Sequence, residues 1–267
     1  MIEVDGLTKL YGPLVAVQDL SFSVGSGEIL GLVGPNGAGK TTTLRSLAGI
    51  IQPTRGTIRI AGHDLAQDAI GAKSALAFVP DEPQLFEYLT VSEHLQFTAR
   101  LYRQPTAVAG IDHLLDELEL TGKRDALAGE LSRGMKQKLA IACGLLHQPQ
   151  VLMLDEPLTG LDPVGIRRMK RTIAARSQAG AAVILSSHLL LLVEERLRVV
   201  HTDRRNAGVE LGNLPGQSVH LADRVAQLVV GVTLCRLKTR RQIVESRRQR
   251  LSFDDDLLPG GRGRRVL

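Results

Sequence analysis

Three observations predict an α/β fold with a mostly parallel central sheet. First, short apolar runs recur along the chain, at Ile29-Leu-Gly-Leu-Val33, Leu76-Ala-Phe-Val79, Val151-Leu-Met-Leu154 and Ala182-Val-Ile-Leu185. Runs without polar alternation suit strands buried on both faces, as in a parallel sheet covered by helices. Second, segments with helical spacing separate these runs, supplying the crossovers that parallel strands need. Third, the first run leads into Gly34-Pro35-Asn36-Gly37-Ala38-Gly39-Lys40-Thr41-Thr42, which opens a helical segment.

That third feature is the G-x-x-x-x-G-K-T phosphate loop in its strand–loop–helix setting. Its glycines allow dihedrals and close approaches that a Cβ forbids, so successive N–H groups can converge on one anion. Lys40 adds a mobile ammonium for the outer phosphates, Thr41 offers a hydroxyl to Mg²⁺, and the helix start favours negative charge. The fold class expected is therefore a P-loop NTPase with a nucleoside triphosphate and Mg²⁺ as ligands.

The elements follow in order. Residues 2–33 read as short strands, Ile2, Val4, Phe22 and Val24 alternating with polar residues; an antiparallel N-terminal set is expected. Thr41 to about Gly49 reads as a helix with Leu44, Leu47 and Ala48 on one face. Pro53-Thr-Arg-Gly56 ends it, and Thr57-Ile-Arg-Ile60 is a further strand. Pro80-Asp-Glu-Pro83 is a loop, and a helical stretch runs from about Val91 to Leu120. Thr90 or Ser92 can cap its start, and Thr90 with Glu93 has capping-box spacing. Ser132 caps the helix of Met135 to Leu146, and Ile166, Met169 and Ile173 form the stripe of another. The helical insertion, about 84–146, predicts a subdomain beside the sheet.

Composition narrows the function class. The 267 residues include 43% hydrophobic and only 3% aromatic residues, with no Trp, so the core is Leu, Val, Ile and Ala. Cys143 and Cys235 stand far apart, which argues against a disulfide framework or a zinc site and fits a reducing compartment. No basic-then-apolar leader is visible at Met1, and no apolar run approaches the roughly 18–20 residues of a membrane span. Direct membrane insertion is not expected. The net charge of +5 is uneven: from Arg196 onward 14 Arg and one Lys face seven acids, leaving residues 1–195 at −3. The basic character belongs to the tail.

Further motifs follow the phosphate loop in a fixed order: Leu131-Ser-Arg-Gly-Met-Lys-Gln137, Val151-Leu-Met-Leu-Asp155-Glu156-Pro157, Gly160-Leu-Asp162-Pro163 and Ser186-Ser-His188. Tyr11 precedes Gly34 by 23 positions. Together with Pro80-Asp-Glu-Pro83, these make residues 1 to about 195 resemble the ATP-binding subunit of an ABC transporter. The variant LSRGMKQ, with Asp81 after Pro80, is most similar to bacterial exporters whose membrane domain is a separate chain. The resemblance implies that adenine stacks on Tyr11 and that Glu156 polarises the attacking water. It implies that His188 contacts the γ-phosphate and that Asp162 couples two sites across a dimer. Ser132 and Gly134 would serve the γ-phosphate bound to the other protomer, in a head-to-tail dimer with two ATP molecules. Asp155 ends a buried strand, where an unpaired carboxylate is costly, and with Thr41 and Asp81 it is the expected metal contact. The implied partners are a membrane-spanning transporter subunit and a second ATP-binding subunit, identical or not. Localisation would be cytoplasmic, at the inner face of the membrane through that partner.

Two departures from the family pattern stand out. The usual LSGGQ reads Leu-Ser-Arg-Gly-Met, with Arg133 and Met135 substituted, and Asp81 replaces the loop glutamine that contacts Mg²⁺ and the membrane subunit. The expected boundaries are an ATP-binding domain at 1–195 and an atypical basic tail at 196–267. From Arg196 no regular element is visible. The tail reads as a frameshift product, a disordered extension, or a basic segment for anionic lipid or nucleic acid. Phe253 is its only aromatic residue, which disfavours base stacking. Two other functions compete with transport: a soluble ATPase acting on DNA or ribosomes, and a nucleotide-binding remnant without turnover. Only 115 residues separate Lys40 from Asp155, leaving no room for the long coiled coil of DNA-repair relatives. Ribosome-acting relatives usually carry two cassettes in one chain, whereas this chain has one.

Overall fold

A computed structural model of the chain describes residues 1–187, 197–201 and 209–211. Two sheets organise them. In the first, strands β1 (Ile2–Tyr11) and β2 (Leu14–Val24) form an antiparallel hairpin, with Ile2 opposite Val24 and Tyr11 opposite Leu14. Gly12, at φ +57°, turns the chain between them. Strands β4 (Arg55–Ile60) and β5 (His63–Asp64) extend this sheet in the order β2-β1-β4-β5. The antiparallel set expected at the N-terminus is present, with its first two strands longer than the sequence pattern implied.

The second sheet has the order β10-β9-β3-β8-β7-β6. It contains β3 (Ile29–Val33), β6 (Leu76–Val79), β7 (Val151–Asp155) and β8 (Ala182–Ser187). Strands β9 (Leu197–His201) and β10 (Val209–Leu211) complete it. All neighbours are parallel except β10, which runs antiparallel to β9.

The period-two geometry of a strand explains why the central runs are apolar throughout. Leu30, Leu32, Val151, Met153, Ala182 and Ile184 enter a core shared with the antiparallel sheet and with Leu44 and Leu47 of helix α1 (Lys40–Leu47). The alternate residues Ile29, Leu152, Leu154, Val183 and Leu185 face a second core on the other side. There they meet α3 (Val91–Leu101), α4 (Ile111–Glu117), α5 (Arg133–Leu146) and α6 (Pro163–Gln178). A short helix, α2 (Ala69–Ser74), precedes β6.

Two expectations are corrected. The helical stretch expected from Val91 to Leu120 is broken: α3 stops at Leu101, a 3₁₀ turn spans Pro105–Gly110, and α4 begins at Ile111. Arg103 takes φ +54°, and Pro105 disfavours helical geometry at Gln104. The second correction lies beyond Arg196, where the sequence showed no regular element. Strand β9 pairs with β3 along its length, Ile29 opposite Leu197 and Val33 opposite His201. Its three apolar residues, Leu197, Val199 and Val200, are too few to give a pattern amid the surrounding arginines. The rest of the tail, with the frameshift and disorder readings attached to it, lies outside the described residues.

Candidate active site

The phosphate loop connects β3 to α1. Gly39 occupies the N-cap position of α1 at φ +93°, and no side chain caps that end of the helix. Its first-turn N–H groups are therefore available to an anion. Gly39 is also fixed by contact: an added Cβ would lie 2.4 Å from the carbonyl oxygen of Ala16 on β2. The antiparallel sheet thus presses its backbone directly onto the loop. Lys40 is 7% exposed, and its ammonium donates to the carbonyl of Gly34 at 2.7 Å and that of Pro35 at 3.4 Å. It lies 4.0 Å from Glu156 Oε1.

A cleft of about 380 Å³ opens over this loop. Its wall contains Asn36, Gly37, Ala38, Gly39, Lys40, Thr41 and Thr42, together with Tyr11, Asp81, Asp155 and Glu156. Residues from four separate segments, expected from sequence to serve one ligand, therefore meet in one place. The Tyr11 ring stands half-exposed at the hairpin tip, with the Lys9 ammonium 5.0 Å from its centroid. Leu14 and Ala16 complete the wall on that side; sequence reasoning missed both, since neither carries a chemical signature.

Asp155 ends β7 and is 2% exposed. Ser186, its register partner on β8, donates a hydrogen bond from Oγ to Asp155 Oδ1 at 2.6 Å. The same Oγ accepts the Glu156 N–H at 3.0 Å. This second bond matters because Glu156 adopts φ +48°, a left-handed conformation that costs a non-glycine residue about 1–2 kcal/mol. Ser186 thus orients both carboxylate residues. Its signal in the sequence is a serine directly after the apolar run 182–185. His188 itself lies outside the described residues.

Oxygen donors from a hydroxyl and a carboxylate, Thr41 and Asp155, suit Mg²⁺, which favours hard ligands and retains several waters when bound with phosphates. The buried Asp155 carboxylate, which accepts from the neutral Ser186 hydroxyl, fits a site that gains a cation with its ligand. Among the described residues no cluster of three or more His, Cys, Asp or Glu could hold a metal alone; phosphate oxygens would have to complete the shell.

Ser132, Gly134 and Asp162 do not line the cleft. Ser132 caps α5, its Oγ accepting the Met135 N–H at 3.4 Å. Gly134 lies against the loop before α6, where an added Cβ would meet the Gly160 carbonyl at 2.7 Å. Asp162 caps α6 by accepting the Gly165 N–H at 2.8 Å. These residues form a second group around the starts of α5 and α6. Arg133 links the two groups: its Nη2 donates to Asp81 Oδ1 at 3.3 Å.

Comparison with known proteins places this geometry. A family model described as ABC transporter matches residues 17–159. The chain is 35% identical over 196 residues to the ABC-type transporter ATP-binding protein EcsA of Bacillus subtilis, covering 73% of this chain and 79% of that protein. It is 38% identical to the bacitracin transport ATP-binding protein BcrA of Bacillus licheniformis, covering 73% of this chain and 64% of that one. It is 40% identical to the Nod factor export ATP-binding protein I of Paraburkholderia xenovorans, covering 75% and 66%. The chain thus spans just under two thirds of the length of the last two. A solved structure titled as the ATP-binding subunit of an ABC transporter superposes with a TM-score of 0.75 at 33% identity, over 80% of this chain and 90% of that one. With the matched model spanning over half of the chain and its motifs gathered around one cleft, the protein belongs to the ABC transporter family, among its ATP-binding subunits.

Proposed function

We propose that the cleft binds Mg-ATP and hydrolyses it, and that two such subunits drive an exporter whose membrane domain is a separate chain. The observation that carries this reading is the convergence of Tyr11, the phosphate loop, Asp81, Asp155 and Glu156 on one wall. Adenine stacks on the exposed face of Tyr11. The loop N–H groups and the α1 N-terminus receive the phosphates, and Lys40 exchanges the Gly34 and Pro35 carbonyls for phosphate oxygens. Thr41 and Asp155, with Asp81 nearby, would hold Mg²⁺. When bound, that ion offsets negative charge on the phosphate oxygens.

In hydrolysis a water oxygen forms a bond to the γ-phosphorus as the bond to the bridging β–γ oxygen breaks. ADP leaves with that oxygen, and phosphate retains the water oxygen. Glu156 orients the water and receives its proton, which passes to phosphate or solvent at release. Its left-handed backbone, held by Ser186, presents the carboxylate beside Lys40. His188 would contact the γ-phosphate. Ser132 and Gly134 serve the nucleotide of the opposite subunit, which accounts for their position away from their own cleft, and Asp162 lies at the contact between the two.

Among the described residues no helix is long and apolar enough to cross a membrane. The exposed side chains Phe86, Tyr88, Phe97 and Leu101 support docking of a partner on the helical subdomain. The relative named for Nod factor export supports the direction of transport. The test is a pair of variants: Lys40→Ala should abolish tight ATP binding, whereas Glu156→Gln should bind ATP, lose phosphate release and accumulate a dimer. Hydrolysis by Glu156→Gln at the parent rate would remove Glu156 from its assigned role.

A further inference from the structure

Two of the residues that depart from the family pattern, Arg133 and Asp81, meet in space. They are 52 positions apart in sequence, yet Arg133 Nη2 donates to Asp81 Oδ1 at 3.3 Å. The path of Arg133 is defined along its stem as well. A Cβ built on Gly160 would lie 3.5–3.8 Å from Arg133 Cδ, Cγ and Nε, so the side chain runs across that glycine, which has φ +79°, toward Asp81. Its head therefore sits at the edge of the nucleotide cleft while its backbone belongs to the start of α5.

Charge on the cleft wall gives this contact a purpose. Among the lining residues three carboxylates, Asp81, Asp155 and Glu156, face a single cation, Lys40. That is an unfavourable balance for a polyanionic ligand. Asp155 is engaged by Ser186, and Glu156 lies beside Lys40. Asp81 is the outermost of the three at 40% exposure, and Arg133 is the cation paired with it.

We propose that Arg133 is a positioning residue for Asp81: the ion pair neutralises and holds the rim carboxylate, so that the cleft accepts a triphosphate. The role rests on the reading of the cleft as an ATP site. It assigns Arg133 a task within its own subunit, separate from that of Ser132 and Gly134 beside it. In the pair the two charges cancel. Removing only the guanidinium leaves a bare carboxylate facing phosphate, and removing only the carboxylate leaves a bare guanidinium there. Removing both restores neutrality.

The two single substitutions therefore act in opposite directions, and the double substitution cancels them. The experiment measures ATP affinity by displacement of a fluorescent ATP analogue from the full chain, in EDTA so that metal contacts do not enter. Arg133→Gln should weaken binding about threefold and Asp81→Asn should tighten it by a similar factor, the size of one partly screened charge at the rim. Asp81→Asn/Arg133→Gln should return to the parent value, and Arg133→Lys should stay near it. All differences should shrink in 0.5 M salt, where the screening length falls to about 4 Å; a purely structural role would not respond to salt in this way. Shifts of the same sign in the two single variants, a double variant displaced as far as either single one, or effects unchanged by salt would overturn the assignment. Parent protein that failed to bind ATP would instead overturn the reading of the cleft. Circular dichroism on each variant checks that the fold is retained.

Discussion

Replacing Ser186 with alanine isolates the contribution of one buried hydroxyl. Ser186 is fully buried and makes two bonds, donating to Asp155 Oδ1 at 2.6 Å and accepting from the Glu156 N–H at 3.0 Å. A hydrogen bond to a charged group contributes about 1.5–3 kcal/mol and a neutral one about 1 kcal/mol. Alanine removes both, leaving a carboxylate at 2% exposure without its donor and the strained Glu156 backbone without its acceptor. The expected loss is about 3 kcal/mol of stability. At about 2–4 °C per kcal/mol for domains of roughly 200 residues, Tm should fall by about 6–12 °C. Thermal and urea unfolding measure this directly. In an Asp155→Asn background the same substitution should cost only about 2 kcal/mol, because the amide oxygen accepts a neutral bond in place of the charged one. Turnover should fall as well, since Glu156 is then free to leave its left-handed conformation. An alanine variant that unfolds within about 1 °C of the parent would refute the claim that Ser186 holds the two carboxylate residues.

Three other outcomes follow from the same geometry. Gly39→Ala should abolish ATP binding and lower stability by more than about 2 kcal/mol, because its Cβ would meet the Ala16 carbonyl at 2.4 Å in a left-handed backbone; binding titration and urea unfolding check it. His147 is buried, stacked on Tyr102 at 3.7 Å, and burial holds its pKa below the usual histidine range. The folded state then binds a proton less readily than the unfolded chain, so stability should be complete above about pH 6.5 and decline as pH falls toward the folded-state pKa; urea midpoints at pH 7.5 and 5.5 should differ less after His147→Asn. Truncation after Glu195 should sharply reduce solubility, because it strips β9 from β3 and exposes a sheet edge; soluble yield against the full chain is the measure.

Much of this architecture was legible because it rests on local rules. The continuous apolar runs identified the central strands, and the alternating allotment of Leu30 and Leu32 to one core and Ile29 to the other shows why no polar position survived in them. The Thr90–Glu93 capping box and the Ser132 cap formed where their spacing placed them. The phosphate loop, Asp155 and Glu156 were legible because their chemistry demands particular residue types at fixed spacing. Contacts between distant segments were not. Nothing local marks Ser186 as the partner of Asp155, since that pairing depends on the register of β7 with β8. Nor does anything join Arg133 to Asp81 until α5 packs against β6, the strand that leads into Asp81. Strand β9 escaped notice for a related reason: three apolar residues suffice when the rest of the stabilisation comes from backbone pairing with β3.

The central claim is that the cleft between the β1–β2 hairpin and the phosphate loop is where ATP binds. Photolabelling with 8-azido-ATP followed by peptide mapping tests it most directly, because the reactive group sits on the adenine. The label should fall on the hairpin tip, residues 11–16, be displaced by ATP and be absent from Lys40→Ala. Labelling concentrated elsewhere, for instance around Glu3, Asp5 and Arg59 on the outer sheet cleft, or labelling that excess ATP does not displace, would contradict the account.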